Sequence, residues 1–146
     1  GYIREFGPII EQLANKVASR HGNESPELVA LAKNTHDFMA DLYQHIEKEE
    51  ELLFPITKDL ASLEEEEINR IIHELEHEHE DAGAELVNFR KITSDYALPA
   101  HACNSYTYLY DRMKAFEQDL FQHIHLENNI LFPKVIDLCR EQLHVN

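Results

Sequence analysis

Two eleven-residue stretches repeat a histidine and a glutamate at one spacing. HIEKEEELLFP at 45–55 and HIHLENNILFP at 123–133 both read H-I-x-x-E-x-x-x-L-F-P, with the pairs His45–Glu49 and His123–Glu127. Residues four apart lie on the same face of a helix, one turn apart, so each imidazole and its carboxylate would point the same way. Imidazole and carboxylate donors without thiolate suit iron, manganese or zinc. The repeat therefore predicts two matching halves of a metal site.

Both pairs are predicted to face the interior. At about 100° per residue, Glu127 points in the same direction as Leu109, and Glu49 lies about 40° from Leu53. A buried carboxylate is costly unless it is paired or binds a metal. One such pair could be a hydrogen-bonded pair of the core, but two pairs related by a repeat favour metal. Without metal, burial and like charge should raise the pKa values of the carboxylates.

The third helical segment offers a fifth donor and a competing pattern. HELEH at 73–77 matches the HExxH motif of zinc peptidases. Measured from Ile68, however, His73 and His77 lie far from the apolar stripe, whereas His79 lies within it. We therefore predict that His79 is the inward ligand and that a metallopeptidase is the least favoured function. The other histidines are expected to be ordinary surface or boundary residues: His21, His36, His101, His125 and His144.

Four blocks of apolar residues at helical spacing position these donors. They run over residues 3–17, 28 to about 55, 68–89 and 106 to about 133. Four long helices with short connections make antiparallel neighbours. The sequence therefore predicts an all-α, up-down-up-down four-helix bundle.

Local signals mark where these helices begin and end. Pro8 should start or kink the first helix. Ser25-Pro26 is typical of a helix start, and Ser62 with the glutamates after it predicts another. The stretch from Tyr96 to Pro99 should break the third helix. A short C-terminal helix is expected around 135–143.

Composition limits the class of partner. A length of 146 residues suggests one domain over residues 1–146. The net charge of −15 argues against nucleic acid and anionic membranes, because phosphate groups require Lys and Arg. No apolar run reaches the roughly 18 residues of a membrane span. Cys103 and Cys139 form no CxxC pair and are expected to be reduced thiols of a cytoplasmic protein.

The duplication predicts one further histidine. The interval of 44 residues between His79 and His123, counted back from His45, ends at position 1. Gly1 has no side chain that could bind a metal and points away from the apolar stripe of the first helix, so a position one or two residues upstream is better placed. We therefore expect that an N-terminal part of the native chain, carrying this histidine, is missing; the alternative is water at that position. The full set of four imidazoles and two bridging carboxylates favours two iron or two manganese ions over a lone zinc. An oxo or hydroxo bridge would complete the pair and leave one position for a small ligand.

At these motifs the sequence resembles the iron–sulfur cluster repair di-iron proteins of the hemerythrin-like superfamily. The resemblance extends over essentially the whole chain, and its motifs are HIEKEEELLFP at 45–55, EHEDAG at 78–83, PAHAC at 99–103 and HLENNILFP at 125–133. It implies a hemerythrin-like bundle that holds two iron ions. The ligands that it implies, besides a histidine ahead of Gly1, are His45, Glu49, His79, His123 and Glu127.

The resemblance also implies a function. It predicts repair of iron–sulfur clusters damaged by nitrosative or oxidative stress, with damaged iron–sulfur proteins as partners and nitric oxide or oxygen as small ligands. The alternative is a hemerythrin-like module that binds oxygen or senses oxygen or nitric oxide. Oxygen carriers, however, have two inward histidines on helix three and an Asp five residues after the helix-four histidine, whereas this chain has His79 alone and Glu127 at plus four. Turnover as an enzyme and assembly as a homodimer stay open.

Overall fold

The computed structural model describes the backbone of residues 1–58 and 64–145, and the side chains of residues 1–52 and 64–141. Those ranges contain helices and no β-strand, which confirms the all-α prediction. The elements are α1 (Tyr2–His21), α2 (Glu27–Lys58), α3 (Glu65–Ile92), α4 (Asn104–Leu126), a π-helical segment (Glu127–Leu131) and α5 (Phe132–Val145).

The four long helices close into a bundle. α1 packs against α2 and α4, α2 packs against α3, and α3 packs against α4 and α5. Gly7 allows the close approach of α1 to α2, because a Cβ atom at this position would collide with the Tyr43 hydroxyl. None of the described helices is both long enough and apolar enough to cross a membrane.

The apolar core is divided into two clusters with a polar layer between them. The larger cluster fills the bundle between α1, α2, α3 and α4. The smaller one joins α2, α3 and α5. Along α2, Leu42 belongs to the larger cluster and Leu52 to the smaller one, and His45 and Glu49 lie between them. The same order recurs on α3, where His79 lies between Leu75 and the larger cluster.

Most of the predicted helix boundaries agree with the structure, with two differences near prolines. Pro8 lies inside α1, so the expectation that it starts the helix is wrong. α2 begins at Glu27, directly after Pro26, and continues through Pro55 to Lys58. The predicted helix start at Ser62 lies outside the described residues.

The break between α3 and α4 is a loop with an unusual backbone. Ser94, Asp95 and Tyr96 have φ values of 53°, 59° and 60°, in the left-handed region that L-residues rarely adopt in succession. Thr93 stabilises this turn: its Oγ1 donates to the Phe89 carbonyl oxygen at 2.7 Å and accepts from the Tyr96 amide at 3.0 Å.

The fourth predicted helix is interrupted. A single helix was expected to end near Pro133, with a short helix after it, but α4 passes through the π segment directly into α5. The matching repeat in α2 remains α-helical over residues 45–55. The two halves of the repeat therefore differ in backbone although their sequences match.

Candidate metal centre

The imidazoles of His45 and His79 meet in the centre of the polar layer. Their Nε2 atoms lie 3.0 Å apart, and both side chains are buried. Two imidazole nitrogens at this distance either share one proton or are directed at one cation. Two nitrogen ligands, each about 2.1 Å from one metal ion, are separated by roughly 3 Å when they are adjacent in its coordination shell. The pair therefore has the spacing of two ligands of one ion.

Each of the two buried carboxylates faces imidazoles on two sides. Oε1 of Glu49 contacts His45 and lies 3.5 Å from His79 Nε2. The other oxygen of this carboxylate, Oε2, lies 3.6 Å from His123 Nε2. Glu127 contacts His123 through Oε1, and its Oε2 lies 3.1 Å from His79 Nε2. The two oxygens of each carboxylate therefore face different imidazoles.

His123 differs from the other four predicted ligands in its exposure. Its side chain is 44 % exposed, whereas that of Glu127 on the same helical stretch is 5 % exposed. The fold nonetheless brings all five predicted residues into one group, with His45 and His79 on one side of the carboxylates and His123 on the other.

The ionisation of the group differs from the expectation. Burial alone would raise the pKa of Glu49, but the imidazoles of His123, His45 and His79 outweigh it and hold this pKa well below its usual range. Burial lowers the pKa of His79, yet Glu127 and Glu49 raise it to about 9. Hydrogen bonds to Glu127 and Glu49 raise the pKa of His123 to about 10. The predicted rise is therefore wrong for Glu49, and metal binding would have to displace protons from imidazoles.

Unsatisfied polar atoms indicate that the group fits a cation. Oε1 of Glu49 and Oε2 of Glu127 are buried and find no hydrogen-bond partner within the described part of the chain. A buried acceptor without a partner costs about 1–3 kcal/mol, and more when it is charged. A metal ion between the carboxylates and imidazoles would satisfy these lone pairs, so the donor set suits one.

Two further residues contact the far side of the histidine rings. His79 Nδ1–H donates to Asn128 Oδ1 at 2.8 Å. His45 Nδ1 lies 3.5 Å from Glu78 Oε1, and Lys48 Nζ donates to the other oxygen of that carboxylate at 3.0 Å. The hydrogen bond from Asn128 is of the kind that fixes the tautomer and orientation of a metal-binding imidazole, whereas His45 Nδ1 makes no hydrogen bond within the described residues.

The sequence prediction missed Asn128, and the π segment explains why. Glu127 contacts Nε2 and Asn128 contacts Nδ1 of the same ring, His79, although consecutive residues of a regular helix point about 100° apart. The wider π turn allows both contacts. In the first half of the repeat the equivalent residue is Glu50, which is exposed and accepts from Arg4 Nη1 at 2.6 Å. The Asn128-Asn129 pair in place of two glutamates was the available signal.

The HExxH histidines do not converge. His73 and His77 are exposed, whereas His79 is buried. Within the residues that the structure describes, the ionic contacts of His77 are with acidic groups of its own helix, Glu80 and Asp81, at 3.7 and 3.9 Å. The outward direction predicted for these two histidines agrees with the structure.

A cavity of about 550 Å³ leads to the group. Its wall includes His45, His79 and His123, which places one face of the polar layer against the cavity. The acidic residues that line it are Asp37, Asp41, Glu78, Asp81 and Glu85. A negative lining raises the local concentration of cations, so this cavity is suited to the passage of a metal ion.

A buried layer of imidazoles and carboxylates between the helices of a bundle defines a metal-binding four-helix protein. The profile of the hemerythrin HHE cation binding domain matches residues 1–135, and the chain belongs to this family. Family and buried group together point to metal binding, with iron as the metal.

Curated relatives with similar sequences carry related names. The chain is 37 % identical over 138 residues to a probable iron–sulfur cluster repair protein of Haemophilus influenzae. This match covers 92 % of this chain and 59 % of the relative. It is 38 % identical over 133 residues to the iron–sulfur cluster repair protein YtfE of Musicola paradisiaca, and this match covers 91 % of this chain and 59 % of the relative. It is 36 % identical over 121 residues to the iron–sulfur cluster repair protein ScdA of Staphylococcus epidermidis, and this match covers 82 % of this chain and 54 % of the relative. The chain thus spans less than two thirds of each of these relatives.

Proposed function

We propose that this domain holds a carboxylate-bridged pair of iron ions and serves the repair of damaged iron–sulfur clusters. The observation that carries the proposal is the double contact of each buried carboxylate: Glu49 and Glu127 both face His79 with one oxygen and His123 with the other. A lone metal ion would not require two carboxylates in that arrangement.

The contacts suggest which residues would share an ion. His45 and His79, with Nε2 atoms 3.0 Å apart, would hold one ion, and His123 would serve the other. Glu49 and Glu127 would reach both. From the described residues, the second ion would receive one imidazole where the first would receive two, so it should bind more weakly. The sequence predicts that a histidine ahead of Gly1 completes it.

A stepwise titration with Fe²⁺ under anaerobic conditions tests this assignment. We expect one tight and one weaker equivalent in the present chain, with the weaker one strengthened in a longer form that carries the upstream histidine. Replacement of His123 by Ala should remove the weaker equivalent first, and replacement of His45 the tighter one. Two equal equivalents that do not respond to the extension would contradict the grouping.

Iron, when bound, supplies an exchangeable metal and an open coordination position for a small ligand such as nitric oxide. The residues around it act in two ways. Asn128 orients His79 through a hydrogen bond to its outer nitrogen, and the carboxylate of Glu78 lies 3.5 Å from the outer nitrogen of His45. The acidic cavity attracts cations and provides a route between His123 and solvent. Both features support a domain that can give up iron, and the names of the relatives favour repair over oxygen binding.

Cluster repair can be measured directly. An iron–sulfur enzyme whose cluster has been damaged with nitric oxide is incubated with the iron-loaded domain, and the recovery of its activity and cluster absorbance is followed. Recovery should exceed that produced by the same concentration of ferrous salt and should be lost in Glu127→Ala, whereas His77→Ala serves as the matched control. Reversible uptake of oxygen by the reduced domain, without repair, would favour the oxygen-binding alternative.

A further inference from the structure

A second group of metal-binding side chains lies where α1 ends and α2 begins. His21 is the last residue of α1, Glu24 lies in the following turn, and His101 lies in the loop before α4. The carboxylate Oε2 of Glu24 is 3.8 Å from His21 Nδ1 and 3.4 Å from His101 Nε2. One ligand atom from each residue lies within 4.8 Å of the other two. The three donors therefore converge on one point.

The spacing of the group matches that of ligands around one ion. Two ligand atoms about 2.1 Å from a tetrahedral metal lie roughly 3.4 Å apart. The two distances from Glu24 are close to this value. Two imidazoles and one carboxylate form a donor set that binds divalent iron and zinc and leaves positions for water.

A thiol contacts the other nitrogen of one of these rings. Cys103 Sγ lies 3.3 Å from His21 Nε2, on the side of the ring opposite the nitrogen that faces Glu24. The His21 ring also lies against Tyr106, with centroids 5.5 Å apart. These two contacts hold His21 in orientation, as outer partners do for histidine ligands.

The group around His21 differs from an ordinary histidine–carboxylate pair on the surface of a helix. His77 provides the comparison, because its side chain is 68 % exposed and lies near Glu80 and Asp81, whereas that of His21 is 15 % exposed. The contacts that the described residues make with His77 all come from one helical turn and include no second imidazole. The group around His21, in contrast, is assembled from α1, the following turn and the loop before α4, which only the fold brings together.

We propose that His21, Glu24 and His101 form a second site, which binds a divalent first-row transition-metal ion in exchange with solvent. The side chains of Glu24 and His101 are 62 % and 41 % exposed, so water can complete the coordination and the ion can leave. Along α2 the site is separated from His45 by about 20 residues, or roughly 30 Å. The second site is therefore independent of the buried centre.

Zinc titration of the full chain, after the buried centre has been loaded with iron, tests the proposal. Calorimetry should detect one additional equivalent of Zn²⁺ per chain. His101→Ala and Glu24→Ala should each weaken it by about tenfold or more. His77→Ala is the matched control and should leave it unchanged. Circular dichroism should find all three variants folded, because the altered side chains are largely exposed.

Two further measurements separate this site from the buried one. The additional equivalent should persist in Glu127→Ala, which removes a carboxylate of the buried centre. Substoichiometric Co²⁺ should broaden the ring NMR signals of His21 and His101 before those of His36 and His125. Absence of an additional equivalent, its loss in His77→Ala, or its survival in both His101→Ala and Glu24→Ala would overturn the proposal.

Discussion

The two histidine–glutamate groups of this bundle use the same residue types in opposite surroundings. In the polar layer, His45 and Glu49 have side chains only 7 % and 10 % exposed, and two buried carboxylate oxygens there lie near imidazoles but accept no hydrogen bond within the described chain. Around His21, water reaches Glu24 and His101. Burial makes unpaired donors costly, so the inner group should bind metal tightly and stabilise the fold, whereas the outer group should bind weakly and leave the fold unaffected.

The largest effect on iron binding is expected when a carboxylate of the inner group is removed. Glu49→Ala or Glu127→Ala should abolish the proposed iron pair, because each side chain contacts imidazoles on both sides of the centre. Iron per chain, measured by elemental analysis after desalting, is the readout. His73→Ala and His77→Ala are the controls and should retain full iron content. Loss of iron in either control would show that the HExxH histidines take part.

Removal of metal from the inner group should lower the stability of the folded protein far more than removal of metal from the outer group. Iron at a concentration 100-fold above the dissociation constant of the inner centre would contribute about 2.7 kcal/mol to the free energy of unfolding. For a chain of this size that corresponds to a rise in Tm of roughly 5–10 °C. Zinc at the outer group should change the Tm of the iron-loaded protein far less. Equal Tm values for the apo and iron-loaded forms would contradict a buried site.

A smaller effect is expected at Asn128. Its Oδ1 accepts from His79 Nδ1–H at 2.8 Å, so Asn128→Ala should weaken iron binding by roughly 10- to 100-fold and shift the electronic spectrum of the iron-loaded domain. Asn129→Ala is the matched control, because Asn129 is exposed and contacts only His125 of its own helix in the described structure. Equal affinities in the two variants would mean that the contact to His79 does not position a ligand.

The smallest effect concerns the thiol beside the outer group. Hydrogen bonds from the Tyr106 backbone amide and from His21 lower the pKa of Cys103 to about 7, whereas burial raises the pKa of Cys139. A lowered pKa means that the thiolate is present at neutral pH, so alkylation of Cys103 with chelator present should be half-maximal near pH 7. Mass spectrometry should find Cys139 unmodified under those conditions. His21→Ala should move the midpoint for Cys103 upward.

Helical spacing predicted much of the fold because it is a local property. The apolar residues of each segment determine which face turns inward, so the bundle followed from the sequence. The same argument distinguished His79 from His73 and His77 on α3, and the structure buries the first and exposes the other two. The side chains that face the interior of the bundle could thus be predicted for each helix separately.

Contacts between helices were decided only by the tertiary structure. Spacing within α2 and α3 could not show that His45 and His79 approach each other to 3.0 Å, because that distance depends on how far one helix is shifted and rotated against the other. The π segment could not be derived from the repeat, since the matching residues of α2 remain α-helical. His21 and His101 lie far apart in sequence, and the loop before α4 brings them together.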